Sequence, residues 1–372
     1  MRSEKEMDIN MRILKYKIIE DYIKNEVISE NLKNGDKIYS ESQLMVKFNV
    51  SRHTVREAIN RLAQEGIIYT EHGRGSFVNW QNTVEKTGFR TSKIIVVIVS
   101  YLNNHIIPDI IQKIEEMATE KGYNIMIRCT HNQIAKEREC LLDLMNKNVF
   151  GIIAEPAKSA LPSPNACLYQ QFREKGIPVI FIHGYLSQQT DDYVVVDDEA
   201  AAYNATEYLI RHGHTQISGV FKSDDIQGVH RYSGMIKAML ENDISINENN
   251  ILWLSTQDEK YILKNKVLVD QIFSRLKNTT ATICYNDDLA ITVADKLFEQ
   301  HVKIPEEHSI ISFDNTPFGD AYRVAITSMD HPKGKLGKAA FESLVCLIEK
   351  KKEKIQVSLE VELIEKESVQ FI

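Results

Sequence analysis

Two hydrophobic rhythms divide the chain. Over the first 78 residues apolar positions recur every three or four residues, whereas from Lys93 short β-branched runs alternate with helical stretches. Leu14 to Ile28 groups Ile18, Ile19, Tyr22, Ile23 and Val27 as the stripe of an amphipathic helix, and Asn34-Gly35-Asp36 reads as a turn. Ser40-Glu41-Ser42-Gln43 matches a capping box, in which the Ser40 hydroxyl accepts from an early backbone N–H and Gln43 reaches back. A second helix is therefore predicted from there to about Phe48. Ser51 caps a third, Arg52 to Glu65, with Val55, Ala58, Ile59 and Leu62 inward and Gly66 ending it. Ile67 to Thr70 and Ser76 to Val78 flank Glu71-His72-Gly73-Arg74-Gly75, the signature of a hairpin with a glycine-rich tip. Three helices and a hairpin describe a winged helix-turn-helix.

With that stripe inward, Arg52, His53, Arg56 and Asn60 fall on or near the opposite face, and Arg52 and Arg56 stand four residues apart on one side. A short capped helix, a tight turn and a helix with arginines near its N-terminus form the layout that enters the major groove, where arginine can donate two bonds to guanine. A solvated charged face is the ordinary alternative for such a helix taken alone. The tip glycines permit close backbone approach, and His72 and Arg74 could reach phosphates or a narrow minor groove. A nucleotide-binding loop is disfavoured, since neither G-x-x-x-x-G-K-[ST] nor G-x-G-x-x-G is completed.

Ser40-Glu41 with Leu44, Val50-Ser51-Arg52, Thr54-Val55-Arg56, Ala58, Leu62, Gly66 and Gly73 to Val78 resemble the GntR-type winged-helix DNA-binding domain over about Leu14 to Val78. The resemblance implies double-stranded operator DNA as a partner, contacted by Arg52, Arg56 and the wing tip Gly73, Arg74 and Gly75. It adds Lys15, at the start of the first helix, and Glu41, at the start of the second. Ser51 and Thr54 lie within the same motif and complete the candidate DNA surface.

Beyond Asn79 to Ser92, a polar stretch that reads as a linker, Ile94 to Val99 is a β-branched run suited to a strand covered on both faces. A helix from Pro108 to Lys121, a strand from Tyr123 to Arg128, a helix from Ile134 to Asn146 and a strand from Phe150 to Ala154 follow. Further strands are predicted at Val179 to Ile182, Ile217 to Phe221, Thr282 to Cys284 and Ser309 to Phe313. The pattern is doubly wound α/β, and the length suits two lobes. Ligands of such sheets sit beyond the carboxyl ends of the strands, which makes candidates of Tyr101, Asn104, Thr130, His131, Glu155, His183, Asp224 with Asp225, Asn286, Asp287 and Asp314. Carboxylates, amides and an aromatic face suit a polyol or sugar, whose hydroxyls both donate and accept. Any one of them alone is more often a loop cap; their repeated placement after strands carries the reading.

Val196-Asp197-Asp198, Ala201-Ala202, Leu209-Ile210, Gly213-His214, Arg231 with Gly234, Asn286-Asp287 with Ala290, Ile304-Pro305 and Ser312-Phe313-Asp314 resemble the LacI/GalR-type regulatory domain over about Lys93 to Ile372. That family shares the two-lobed fold of periplasmic sugar-binding proteins. The resemblance implies that Arg231, Asn286 or Asp287, and Asp314 line a sugar cleft. A winged helix of one family joined to this domain, together with Ile153 to Leu161, Phe221 to Val229 and Cys284 to Asp287, resembles the arabinose-responsive repressors of Gram-positive bacteria. L-arabinose is the implied effector, with a related sugar or sugar phosphate as the alternative. The implied assembly is a homodimer on palindromic DNA that is released when sugar closes the lobes.

Charge sharpens this division. The 372 residues carry a net charge of −7, which, if evenly spread, would oppose a phosphate backbone. Residues 1–78 hold 13 Lys and Arg against 12 Asp and Glu, so the acidity lies beyond them. Five scattered cysteines without a C-x-x-C pair indicate neither a disulfide framework nor zinc. His212-Gly213-His214 lacks a nearby third ligand and reads as structural, so no metal and no cofactor are expected. No G-x-S-x-G elbow is present, and the second part is short for an aminotransferase-like enzyme, so no catalytic residue is assigned. A charged N-terminus and no apolar run long enough to span a bilayer predict a cytoplasmic protein with no membrane partner, rather than an exported sugar-binding protein.

Overall fold

The computed structural model describes residues 15–27, 32–71, 73–79, 93–103, 105–187, 190–261 and 266–372. Leu14, Ile28, His72, Asn104 and the expected linker beyond Asn79 lie outside them. The chain divides into two units, Met1–Ser92 and Lys93–Ile372.

In the first unit, α1 (residues 15–27), α2 (Glu41–Phe48) and α3 (Arg52–Gln64) precede the antiparallel hairpin of β1 (Ile68–Glu71) and β2 (Gly75–Val78). The capping box forms as its residues require: the Ser40 N–H donates to Gln43 Oε1 at 2.8 Å, and the Gln43 N–H donates to Ser40 Oγ at 3.3 Å. Ser51 Oγ accepts from the Thr54 N–H at 3.3 Å and so starts α3. Ile19, Ile23, Leu44, Val55, Leu62 and Val78 meet in one core. Ile18 does not join it. Tyr16, Ile19, Ile23 and Val27 occupy the inward face of α1, and Ile18 points to solvent.

The second unit contains two six-stranded sheets. In the first lobe β3 (Lys93–Val99), β4 (Tyr123–Cys129), β5 (Gly151–Ala154), β6 (Val179–Ile182), β7 (Asp192–Val196) and β13 (Gln356–Leu359) run parallel in the order β13-β7-β6-β5-β3-β4. In the second lobe β8 (Ile217–Lys222), β9 (Ile251–Leu254), β10 (Ala281–Cys284), β11 (Ser309–Asp314), β12 (Thr327–Asp330) and β14 (Leu363–Ile364) take the order β14-β12-β11-β10-β8-β9, with β14 antiparallel.

The first lobe carries α4 (Ile107–Glu120), α5 (Ile134–Leu144) and α6 (Ala166–Glu174). The second carries α7 (Asp198–Arg211), α8 (Ile226–Glu241), α9 (Thr256–Tyr261), α10 (Lys266–Leu276), α11 (Asp287–Glu299) and α12 (Pro317–Asp320). The continuous apolar run of β3 has its cause here. Ile95, Val97 and Val99 pack with α4 and with α13 (Lys333–Ile348) on one face, and Val96 and Ile98 pack with α5 and α6 on the other. The chain passes between lobes three times: after β7, between β12 and α13, and between β13 and β14.

Strands β7, β9, β12, β13 and β14 were not anticipated. Thr327-Ser-Met-Asp and Gln356-Val-Ser-Leu are short and mixed, and they become strands because a neighbouring strand offers its edge.

Helices α7 and α8 approach backbone to backbone at Gly234, where an added Cβ would stand 2.1 Å from the Glu199 carbonyl oxygen and 2.8 Å from the Tyr203 nitrogen. Gly234→Ala is expected to destabilise the protein by about 1–3 kcal/mol through overpacking. Gly334→Ala, where an added Cβ meets nothing within 4 Å, should leave the melting temperature nearly unchanged; calorimetric melts of the two variants provide the check.

Candidate functional site

Arg52, His53, Arg56 and Asn60 are exposed along one side of α3, and Lys15 is exposed at the first described turn of α1. Glu41 faces the two arginines. Its Oε2 lies 3.1 Å from Arg52 Nε, and its Oε1 accepts from Arg56 Nε at 2.9 Å, so a single carboxylate aligns both guanidinium groups. Exposed pairs of this kind contribute on the order of 1 kcal/mol or less, so Glu41 orients the arginines without holding them from a competing phosphate. Thr54 is buried and bonded to the Ser51 hydroxyl at 2.9 Å, and this pair serves the start of the helix. At the wing, Gly73 and Gly75 have φ of +78° and +116°, which the tight tip requires, and Arg74 pairs with Glu71 at 2.7 Å.

In the second unit the carboxyl ends of both sheets border a cleft of about 780 Å³. Of the residues expected there, Tyr101, Glu155, His183, Arg231, Asn286 and Asp314 line it, with Asp225. Thr130, His131, Asp224 and Asp287 do not. Thr130 is buried against the Val99 carbonyl, and His131 is exposed with its ring centroid 6.0 Å from that of Tyr101. Asp224 accepts from Lys158 Nζ at 2.8 Å and from the Thr256 N–H at 3.0 Å. Asp287 accepts from the Thr316 N–H at 2.6 Å and from the Ser328 hydroxyl at 2.9 Å, and it also takes a bond from Ser312. After His131, Asp224 and Asp287 the next residue, Asn132, Asp225 or Asp288, lines the cleft instead.

Arg231 anchors the cleft floor. It is buried, donates to Asp198 Oδ1 at 2.7 Å and to the Tyr285 carbonyl, and lies 4.2 Å from the centre of the Phe313 ring. Burial pushes the Asp314 carboxyl up to about 7, an effect that Arg231 only partly offsets. His331 is also buried, and burial, then His183 and Arg231, hold its imidazole well below the usual histidine range, so it is neutral. Neither ring nitrogen of His331, nor Nε2 of His183, has a protein partner among the described residues. Burial would raise the Glu155 carboxyl, but His183 and the Ser100 N–H, which donates at 2.7 Å, outweigh it and keep Glu155 ionised.

The cations that line the cleft are paired, Lys222 with Asp225 at 2.7 Å and Arg231 with Asp198, while Glu155, Asp288 and Asp295 add negative charge. Neutral donor–acceptor groups within an acidic rim suit a polyhydroxylated neutral ligand and oppose an anion. Among the described residues no set of three His, Cys, Asp or Glu side chains is arranged to hold a metal ion, and no helix is long and apolar enough to cross a membrane. His212 and His214 are structural, bonded to the Tyr208 carbonyl at 2.7 Å and to the Thr280 hydroxyl at 2.9 Å.

Residues 15–78 match the gntR family of bacterial regulatory proteins, and residues 206–369 match a periplasmic binding protein-like domain. Over 341 residues the chain is 34% identical to the arabinose metabolism transcriptional repressor of Halalkalibacterium halodurans, covering 91% of this chain and 90% of that one. The chain belongs to this repressor family. The repressor of the same name from Geobacillus stearothermophilus is also 34% identical, over 339 residues, with 91% and 92% covered. The transcription regulator CcpA of Lactococcus lactis shares the fold of the larger unit with a TM-score of 0.66 at 23% identity, covering 75% of this chain and all of that one. The family's domain order is therefore the one that the two resemblances in the sequence implied.

Asn132, Lys222, Asp288 and His331 escaped the sequence reading. His331 follows β12, and the rule that singled out residues after strands would have included it had Thr327 to Asp330 been recognised as a strand.

The raised pKa of Asp314 has a defined consequence for stability. The folded state keeps a proton that the unfolded chain loses near the ordinary value of 3.8, so stability should fall as pH rises from about 4 to 7 and level off above. Asp314→Asn is expected to remove that share of the slope in thermal melts between pH 4 and 8. A slope identical to that of the parent chain would refute the assignment.

Proposed function

We propose that the chain is a sugar-responsive transcriptional repressor that binds operator DNA as a homodimer and is released when a neutral pentose, L-arabinose foremost, occupies the cleft. The observation that carries this reading is a cleft floored by Arg231, neutral His331 and a carboxyl that holds its proton near neutrality, on the same chain as a winged helix presenting Arg52 and Arg56. The relatives' role as arabinose metabolism repressors supports the sugar. The acidic lining argues against the sugar-phosphate alternative, because a phosphate would meet Glu155, Asp288 and Asp295 with both lining cations already paired.

The mechanism needs no covalent step and no cofactor, and it places the protein in the cytoplasm with its DNA. Two winged helices read symmetric half-sites, with base-edge contacts from Arg52 and Arg56 and backbone contacts from Lys15 and the wing. Sugar binding draws the lobes together about the three crossings and changes the geometry that pairs the two chains. A coupling of about 2–3 kcal/mol would lower operator affinity roughly 30–150-fold, and DNA would weaken sugar binding by the same factor.

Calorimetry against L-arabinose, D-ribose, D-xylose and ribose 5-phosphate tests the ligand class: a neutral pentose should bind, and the phosphate at least about 100-fold more weakly, as expected when a charge enters an acidic site without a free partner. Tighter phosphate binding would reverse the reading. Arg52→Ala should cost about 1–3 kcal/mol of operator affinity in a gel shift while leaving sugar affinity intact; simultaneous loss of both activities would indicate misfolding.

A further inference from the structure

Lobe closure in this fold depends on what holds the lobes together away from their crossings. The crossings leave from β7, β12 and β13, which lie at one end of the two sheet orders. At the opposite end stand β4 and β9, the terminal strands of their sheets, and the segments that follow them meet across the cleft. Asn132, three residues past β4, lies at the centre of that meeting. Its Nδ2 donates to Asp225 Oδ1 at 3.1 Å and to Thr256 Oγ1 at 2.7 Å in the second lobe, while its Oδ1 accepts from the Lys158 N–H at 2.6 Å in its own. Three further bonds cross beside it: Lys158 Nζ to Asp224 at 2.8 Å, the Ile226 N–H to Ser159 Oγ at 3.0 Å, and the Ala160 N–H to the Asp224 carbonyl at 3.4 Å.

We propose that Asn132 is a positioning residue, the latch that holds the two lobes closed at the end of the cleft opposite the hinge and thereby sets effector affinity. Three features carry this. Both amide N–H donors are used outward and the amide oxygen accepts one bond inward, which also fixes which end is oxygen. Asn132 and Lys158 both sit in the left-handed region, with φ of +52° and +50°, a conformation that asparagine tolerates well and that costs free energy at Lys158 unless neighbouring contacts hold it. Finally, bonds this far from the crossings act on the longest lever, so a small opening of the lobes breaks them all. The core of neither lobe depends on the cross-lobe bonds, so losing them shifts the open–closed balance while each lobe stays folded. The apparent affinity of a ligand that needs the closed form falls in proportion to the closed fraction.

The affinity part of the proposal rests on the sugar-effector reading; the closure part does not, and the test separates them. Amide hydrogen exchange on the full-length chain follows Ile226, whose N–H crosses to Ser159 and is not touched by a change at Asn132. Asn132→Ala should speed exchange at Ile226 about ten-fold without changing β3 or β8, raise the Kd for L-arabinose about ten-fold or more, and leave operator affinity without sugar within about two-fold. Lys158→Met, which removes only the Nζ bond to Asp224, should move exchange and Kd in the same direction by less and guards against a folding defect at Asn132. Unchanged Ile226 exchange in both variants would overturn the latch, as would faster exchange with an unaltered Kd. If the parent chain binds no pentose, the effector reading fails, and Ile226 exchange alone then decides whether Asn132 holds the lobes.

Discussion

The ion pair between Arg231 and Asp198 is the interaction on which the second unit turns. Removing two full charges from water costs several kcal/mol per ion, and the cost is offset here only because the guanidinium is surrounded: a carboxylate at 2.7 Å, the Tyr285 carbonyl, the faces of Phe313 and Tyr285, and Asp314 nearby. Those partners come from different parts of the fold. Asp198 opens α7 just after the first crossing between lobes, Arg231 sits on α8, Tyr285 follows β10, and Phe313 belongs to β11. One side chain therefore ties a hinge segment to the cleft floor.

Around that anchor the polar groups divide into two kinds. Behind the cleft the buried carboxylates are multiply bonded: Asp287 is held by Thr316, Ser312 and Ser328, and Glu137 accepts from the Ala157 N–H, the Asn165 amide and the Tyr169 hydroxyl at 2.8–3.0 Å. Facing the cleft, the ring nitrogens of His331 and Nε2 of His183 have no protein partner among the described residues. Six of the ten non-glycine residues with positive φ among the described residues, His131, Asn132, Lys158, His183, Asp314 and Asn315, lie at or shortly after the carboxyl ends of strands. Bonds such as that from the Lys158 N–H to Asn132 Oδ1 help to hold such turns in place.

The first unit uses charge differently. Glu41 stands between Arg52 and Arg56 and neutralises part of a surface proposed to meet phosphate. Exposed pairs are weak, so the effect is geometric: two long, flexible side chains share one carboxylate, which lowers the entropy lost when they dock.

Local rules reached far into this protein. The capping box at Ser40, the cap at Ser51, the glycine tip of the wing and the doubly buried run of β3 were legible because each depends on residues adjacent in sequence, through backbone conformation or periodicity. The same logic found six cleft residues by their position after strands. It could not decide which of two neighbours turns inward: it named both Asp224 and Asp225, of which Asp225 alone lines the cleft, and Asp287 where Asp288 does. That choice depends on loop dihedrals and on contacts from other segments, such as Thr316 to Asp287 across 29 residues. Strands as polar as β12, the His331 that follows one of them, and the meeting of Asn132 with Thr256 across 124 residues were decided only by tertiary structure. Sequence determines where chain can bend and which face is apolar; the docking of distant segments determines which polar groups are left to face a ligand.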